Sequence, residues 1–475
     1  MWLTLDKDSQ QPMGRQLYKR IRQMILQGTL APATRLPSSR ALAHELGLAR
    51  NTVLEAYDQL LAEGYLEARQ GSGTRVACGI AAVQELPEQH PAQLPMAPTV
   101  HPAQSAAIIH FRSGIPALDA FPRREWAKTY QHVCEIVPEE ALRYCAPAGV
   151  LALRQALCGY LQRTRGITCS PERVMITTGA TQGLQLVARL LRAQGNTALV
   201  EDPVHTGLRE VVIRSGYALE SIRADQHGMD TTLLPAPDAA RRAGVAFVYT
   251  TPSHQYPLGG ILPIARRQQL VRFAREAGCN IIEDDYDSEF RHEGAPVSSL
   301  YELAPETVIY LGSCSKILAP ALRLGFAILP ARLLAAWHTE KLYTDVHTDA
   351  LSQYALAAFI ESGALEKHTW KMKKLYRRKR AFLVQALTRS FGNAFTVQGH
   401  AAGLHMVAGF PGVHFTPQLV DNLRAQGVEV APVEAHSLRA DGRHAHEIIL
   451  GYAHLSESAM ERGVQILHRV LAEHL

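Results

Sequence analysis

The stretch Ser313-Cys-Ser-Lys316-Ile-Leu-Ala-Pro-Ala-Leu-Arg323-Leu-Gly325 sets a lysine among apolar residues and an arginine seven positions further on. Upstream, Asn280-Ile-Ile-Glu283 reads as a short strand running into Asp284-Asp285-Tyr286-Asp287. This is the layout a pyridoxal phosphate site needs. Lys316 supplies the amine for a Schiff base, Arg323 a permanent charge for the phosphate, and an aspartate a partner for the pyridinium nitrogen. Asp284 and Tyr286 are two apart at a strand end, so they share a face. Asp284 would keep the ring nitrogen protonated and Tyr286 would bond the phenolate oxygen, while Asp285 points the other way.

Working outward, Thr177-Thr178-Gly179-Ala180-Thr181-Gln182 follows a strand and opens a helix. The backbone amides of Gly179, Ala180 and Thr181 at a helix N-terminus suit a phosphate dianion. Ser313 and Ser315 add hydroxyls beside Lys316. The loop Thr250-Thr-Pro252-Ser253-His254-Gln255-Tyr256-Pro257-Leu-Gly259 lies at another strand end and brings Tyr256. Candidate strands are Val174–Thr178, Thr197–Glu201, Val245–Tyr249, Asn280–Glu283 and Val308–Leu311, with helices such as Gln182–Ala193 and Arg266–Ala277 between them. Short β-branched strands alternating with amphipathic helices predict an α/β fold from residue 108 to 475, its strands buried on both faces.

The front of the chain follows other rules. Pro12 to Gln27 reads as a helix with Leu17, Ile21, Met24 and Ile25 on one face. Arg35-Leu-Pro-Ser38-Ser-Arg40 leads into a second helix, Arg40–Leu46, with serine as N-cap and Gly47 as its end. Leu48-Ala49-Arg50-Asn51-Thr52-Val53 opens a third, and Tyr65 to Val76 reads as a hairpin around Gly71 and Gly73. Two short helices across a glycine turn followed by a hairpin make a winged helix-turn-helix over residues 10–77, a double-stranded DNA binder. Residues 1–77 hold ten Lys and Arg against seven acids, a modest positive excess. A proline-punctuated stretch, residues 78–107, reads as a flexible linker.

Bulk properties exclude several classes. The chain has 475 residues, 47% hydrophobic and 20% charged, with a net charge of +5. No apolar run approaches the roughly 20 residues that span a bilayer, and the N-terminus lacks signal-peptide order. Seven scattered cysteines without CxxC spacing fit reduced thiols in a cytoplasm and no metal site. The basic run Lys371–Arg380 is either a solvated helix face or an auxiliary contact to a DNA backbone.

Two resemblances tie these parts together. Arg-Leu-Pro-Ser-x-Arg-x-Leu-Ala, then Thr-Val, then Gly-x-Gly-Thr-x-Val resembles the GntR regulators. By it Arg35, Ser38, Arg40, Arg50, Asn51 and Thr52 meet DNA, with Arg69 and Gly71 at the minor groove or backbone. Arg50 and Asn51 are the candidates for base edges. Ala49 departs from the serine common there. Residues 108–475 resemble fold-type I aminotransferases, which implies a large mixed sheet with flanking helices and a smaller C-terminal α/β subdomain. More narrowly, Thr-Pro-Ser-His-Gln-Tyr-Pro, Glu-Asp-Asp-Tyr-Asp-Ser-Glu-Phe and the Lys316-to-Arg323 spacing resemble the MocR regulators, GntR modules fused to an aminotransferase-like domain. That implies a head-to-tail, domain-swapped homodimer in which Tyr144 reaches the neighbouring phosphate.

Two departures bear on function. His205 stands where the family has an aromatic stacked on the pyridine ring, and its charge would respond to pH near neutrality. Ile449 stands where catalytic members place the arginine that grips a substrate carboxylate, so amino-acid transamination should be weak or absent. The expectation is a regulator whose DNA binding responds to pyridoxal phosphate, or to an amine that reacts with the Lys316 Schiff base. The alternatives are an active aminotransferase with an appended DNA-binding domain, and a catalytic fold kept only as a dimerisation scaffold.

Overall fold

The computed structural model describes residues 3–6, 9–69, 73–80, 108–292, 297–399 and 402–474. The chain divides into two compact units, Met1–Gln104 and Ser105–Leu475. Most of the 78–107 linker lies outside the described residues.

In the first unit, helices α1 (Met13–Leu26), α2 (Ser39–Leu46) and α3 (Arg50–Ala62) precede a hairpin of β1 (Leu66–Arg69) and β2 (Gly73–Val76). Leu17, Ile21 and Ile25 recur every fourth residue and bury one stripe of α1. Each such side chain is worth about 1.5–3 kcal/mol of burial. They pack on Val53, Ala56, Tyr57 and Leu60 of α3, with Leu66 and Val76 closing the core from the hairpin. Ser38 Oγ accepts the Ala41 amide and caps α2, and Gly47 ends it. α3 starts after Ala49 with no side-chain cap, the cost of the missing serine.

The second unit opens with the short strand β3 (Ile109–His110) and then builds a sheet from eight strands. These are β4 (Val174–Thr177), β5 (Thr197–Asp202), β6 (Ala218–Asp225), β7 (Gly228–Met229), β8 (Val245–Thr250), β9 (Asn280–Asp285), β10 (Val308–Ser313) and β11 (Gly325–Ile328). Their spatial order is β4-β11-β10-β9-β8-β5-β6-β7. β6, β5, β8, β9 and β10 run parallel, while β11 is antiparallel to both its neighbours. Helices α4 (Arg123–Ile136) and α5 (Leu151–Arg165) precede these strands, and α6 (Ala180–Leu191), α7 (Thr206–Arg214), α8 (Pro237–Arg242), α9 (Ile264–Ala277), α10 (Leu334–Asp345) and α11 (Ala350–Glu361) intersperse or follow them. Alternation along each strand feeds two cores. Ile176 and Ile281 join the one beside α5 and α9, whereas Met175 and Ile282 join the one beside α6 and α10.

A smaller subdomain follows: α12 (Ala364–Phe391), β12 (Thr396–Gln398), β13 (His405–Gly409), α13 (Pro417–Ala425), β14 (Val428–Glu429), β15 (Ala431–Pro432), β16 (Glu447–Gly451) and α14 (Glu457–Leu471). Its four-stranded antiparallel sheet has the order β12-β13-β16-β15, and β14 pairs with β3. The basic run on α12 is mostly a solvated face, with Lys371, Lys374, Arg377 and Arg378 exposed, but three of its residues also hold the fold together. Lys379 is buried and donates to the Ala453 carbonyl, Arg377 donates to the His292 carbonyl, and Arg378 pairs with Glu457. Among the described residues no helix is long and apolar enough to cross a membrane.

Candidate functional site

The C-terminal ends of β4, β5, β8, β9 and β10 open together onto one cavity of about 260 Å³. In open α/β sheets this edge is where ligands bind. β10 delivers Ser313, Ser315 and Lys316 to the wall. Lys316 Nζ donates to the Gly114 carbonyl at 2.6 Å. Gly114 has φ +73, which favours glycine, and a β-carbon there would sit 2.8 Å from that nitrogen and push the amine aside. Burial pushes the Lys316 pKa down and Arg112 adds to this, against the pull of Asp287 and Asp284. The amine is thereby biased toward its nucleophilic form.

β9 brings Asp284, Tyr286 and Asp287. Burial raises Asp284 to about 6, and the Tyr249 hydroxyl, donating to its Oδ2 at 2.6 Å, holds it from going higher. Asp285 turns away, as alternation requires, into an ion pair with Arg165 at 2.8 Å. Its partners, with the Tyr301 amide on Glu283, explain why β9 continues through the acids. Past Asp285 the strand geometry lapses, which turns Asp287 to the cavity beside Tyr286. His254 Nδ1 lies 3.0 Å from both Asp287 oxygens and 2.9 Å from the Tyr286 hydroxyl. Burial disfavours a charged His254, yet Asp287 overcomes this and raises its pKa. With the ring proton on Nδ1, Tyr286 accepts there and its own O–H remains available to the cavity.

At the opposite end, Ala180 and Thr181 line the cavity at the start of α6, where the first-turn amides have no helical partner. Gly179 has φ +123, and a β-carbon on it would lie 3.0 Å from Arg323 Nη2. The arginine is thus pressed against the turn. Arg323 also lines the cavity, and among the described residues its guanidinium has no hydrogen bond or ion pair, its one bond being from the backbone amide to the Pro320 carbonyl. Free amides, a free guanidinium and the Ser315 hydroxyl, which accepts from Ser313, form a donor set suited to a phosphate.

The side wall comes from His205 and Tyr256, whose rings stand 5.0 Å apart, with Leu404 and His405 from the smaller subdomain. His205 caps α7 through Nδ1, accepting from the Gly207 and Leu208 amides. The expectation of a histidine titrating near neutrality needs correction. Desolvation at the cavity wall, then Lys316 and Arg112, push it down to about 4 although the residue keeps an exposed edge, and this favours the neutral ring at physiological pH. Ile449 is buried on the far side of Tyr256 with Leu258, Val407 and Val433. Arg112, exposed and without a side-chain partner among the described residues, is the cation whose charge reaches Lys316 and His205.

Of the residues read from the sequence, Ala180, Thr181, His205, Tyr256, Asp284, Tyr286, Ser313, Ser315, Lys316 and Arg323 meet at this cavity, with Gly179 beside it. Tyr144 does not. It is 86% exposed, its ring 6.0 Å from His347. Sequence reasoning missed Tyr249, Asp287, Gly114 and His405. In the first unit Arg35, Ser38, Arg40, Arg50 and Asn51 are exposed, although Ser38 is engaged as the α2 cap. Thr52 is half-buried against Gly14 of α1. Arg69 ends β1, and Gly71 lies outside the described residues.

Residues 107–467 match the aminotransferase class I and II family, and residues 13–76 match the bacterial regulatory proteins of the GntR family. The chain is 32% identical to the probable rhizopine catabolism regulatory protein MocR of Rhizobium meliloti, over 98% of this chain and 95% of that protein. It is 33% identical to the HTH-type pyridoxine biosynthesis transcriptional regulator PdxR of Corynebacterium glutamicum, over 78% of each. Among solved structures it resembles the α-aminoadipate aminotransferase LysN of Thermus thermophilus, complexed with N-(5'-phosphopyridoxyl)-L-leucine. The TM-score is 0.68 and the identity 29%, over 78% of this chain and 93% of that one.

Proposed function

Because the chain belongs to the MocR/GntR family of transcriptional regulators, with an aminotransferase class I and II fold behind a GntR-type DNA-binding module, we propose that it is a DNA-binding sensor of pyridoxal phosphate or of an amine that reacts with it. The observation that carries this reading is the donor set of the cavity. A lysine whose pKa burial lowers, an arginine with an unpaired guanidinium against a helix N-terminus and a buried carboxylate all face one space. The aminotransferase fold family is pyridoxal phosphate-dependent, and the residues present fit that group.

Bound there, pyridoxal phosphate supplies an electrophilic aldehyde that amines capture reversibly. The chain's own residues do the rest. Arg323, Ser313, Ser315 and the Gly179–Thr181 amides hold the phosphate, and Lys316 Nζ is the tethering amine. Asp284, kept anionic by Tyr249, supports a protonated ring nitrogen. Tyr286, backed by His254 and Asp287, offers a proton to the phenolic side. Neutral His205 and Tyr256 form the flat wall, and cofactor or amine binding shifts the population of DNA-competent molecules.

On the DNA side, Arg50 and Asn51 at the start of α3 read base edges, while Arg35, Ser38 and Arg40 contact phosphates. The working unit is a head-to-tail homodimer in the cytoplasm, in which exposed Tyr144 completes the neighbour's phosphate site. Ile449, apolar and buried, supports sensing over amino-acid turnover. A second reading, an active aminotransferase, draws on unpaired Arg112 as a substitute carboxylate clamp. Mixing the pyridoxal phosphate-loaded protein with the common amino acids separates the two. Sensing predicts an unchanged cofactor spectrum or a ligand adduct without product, whereas stoichiometric release of a keto acid overturns it.

A further inference from the structure

The seven cysteines are all free thiols, but two of them are neighbours. Cys158 in α5 and Cys169 just beyond it place their sulfurs 3.5 Å apart. The approach follows from the local chain path. α5 rises ~10 Å from Cys158 to Arg165 at ~1.5 Å per residue. Gly166 ends the helix in a left-handed turn, and the extended residues to Cys169 return by a similar length at ~3.4 Å each. The returning segment is fixed on both sides of the sulfur. The Thr168 amide donates to Glu302 Oε1 at 2.9 Å, and Arg154 of α5 donates to the Pro171 carbonyl at 3.0 Å. Both thiols are half-buried, open to a small oxidant yet backed by the core.

We propose that Cys158 and Cys169 form an oxidisable dithiol, a modification site that peroxide closes into an intrachain disulfide. The pair is asymmetric. The hydrogen bond from the Cys169 thiol, with Arg154 nearby, lowers the Cys158 pKa, while sharing that proton raises Cys169. The thiolate therefore develops on Cys158. It attacks one peroxide oxygen, the O–O bond breaks, and hydroxide leaves with the proton lost by the thiol, as water. The resulting sulfenic acid is attacked by the Cys169 sulfur, the S–O bond breaks, and a second water carries off the Cys169 proton. Two thiols are oxidised and one hydrogen peroxide is reduced to two waters. The sulfurs need only close from 3.5 Å to a bond of about 2.05 Å.

The bond would staple the middle of α5 to the segment that enters β4, the strand leading to the Gly179 turn. It acts outside the cavity and requires no cofactor. A cross-link removes conformations from the denatured chain and so raises thermal stability reversibly.

The test uses the full-length, freshly reduced protein treated with stoichiometric hydrogen peroxide, then alkylated in denaturant and mapped by mass. The expected product is one cross-linked peptide pair containing Cys158 and Cys169, lighter than its parts by two hydrogens and reversed by dithiothreitol. It should come with a rise in Tm of a few degrees, absent in Cys158→Ser. Cys169→Ser, which keeps a hydroxyl able to donate to Cys158 but cannot close a disulfide, should trap the Cys158 sulfenic acid, which keeps the test sharp if Cys158→Ser misfolds. A Cys78→Ser/Cys134→Ser double variant, lacking the two exposed thiols, should behave like wild type. Recovery of both Cys158 and Cys169 as alkylated thiols while Cys78 and Cys134 oxidise would overturn the proposal. So would sulfinic acid on Cys158 without a cross-link.

Discussion

Tyr249→Phe isolates the one hydrogen bond that keeps Asp284 useful near neutral pH. The Tyr249 hydroxyl donates to Asp284 Oδ2 at 2.6 Å inside a fully buried environment, where Asp284 stands at about 6. A hydrogen bond to a charged group contributes ~1.5–3 kcal/mol, equivalent to ~1–2 pKa units. Removing it should lift Asp284 to roughly 7–8, so at pH 7 its ionised fraction falls from ~90% to ~10–50%. Pyridoxal phosphate affinity, if it depends on an ionised Asp284, should drop ~2- to 10-fold at pH 7. At pH 9 it should approach wild type, because Asp284 is ionised in both proteins. The cofactor's own ionisations are common to both and cancel in the ratio. Equilibrium dialysis or fluorescence quenching from pH 6 to 9 gives that ratio directly. A loss of the same size at every pH would mean that Tyr249 merely fills space, and the argument for Asp284 would fall.

Three further outcomes are expected. Arg323→Ala should weaken pyridoxal phosphate binding ~30- to 150-fold through loss of a ~2–3 kcal/mol charge-assisted contact, with the unliganded protein's melting temperature little changed; dialysis and a melt measure both. Ala49→Ser should restore the missing cap of α3 and stabilise that helix by ~0.5–2 kcal/mol, seen as slower hydrogen exchange in its first turn. His405 is pushed down to about 3, by burial first and then by His254. Its folded pKa lies below the unfolded value near 6.5, so the stability it contributes is full above that pH and is lost as pH falls toward 3. Wild type should therefore lose ~1.4 kcal/mol per pH unit relative to His405→Gln between about pH 6 and 4, measured by urea unfolding at several pH values.

The parts of the site that sequence made legible are those that short-range rules control. Lys316, Arg323 and the serines share one loop, Ala180 and Thr181 follow from a strand-turn-helix, and Asp284 with Tyr286 follow from strand alternation. The same alternation could not place Asp287 at the cavity, because it holds only while the strand lasts and β9 stops at Asp285. Gly114 meets Lys316 across 202 positions of chain, and His405 arrives through the register of a separate sheet. Neither contact leaves a local signal. His205 was placed correctly at the cavity, but its neutrality depends on burial and on two cations brought in from elsewhere, Lys316 and Arg112. The basic run on α12 shows the reverse case. It invites an electrostatic reading, yet Lys379 is buried on the Ala453 carbonyl and exposed Arg377 and Arg378 also bond within the fold. Cys158 and Cys169 likewise look unrelated until Gly166 folds the chain back.

The central claim is that occupancy at Lys316 is read by DNA. It is tested most directly by measuring the affinity of the full-length protein for the DNA upstream of its own gene, with and without saturating pyridoxal phosphate, beside Lys316→Ala under the same conditions. The account predicts a cofactor-dependent shift in affinity or footprint for wild type and a blunted one for Lys316→Ala. Identical affinity and footprint in all of these states would contradict it.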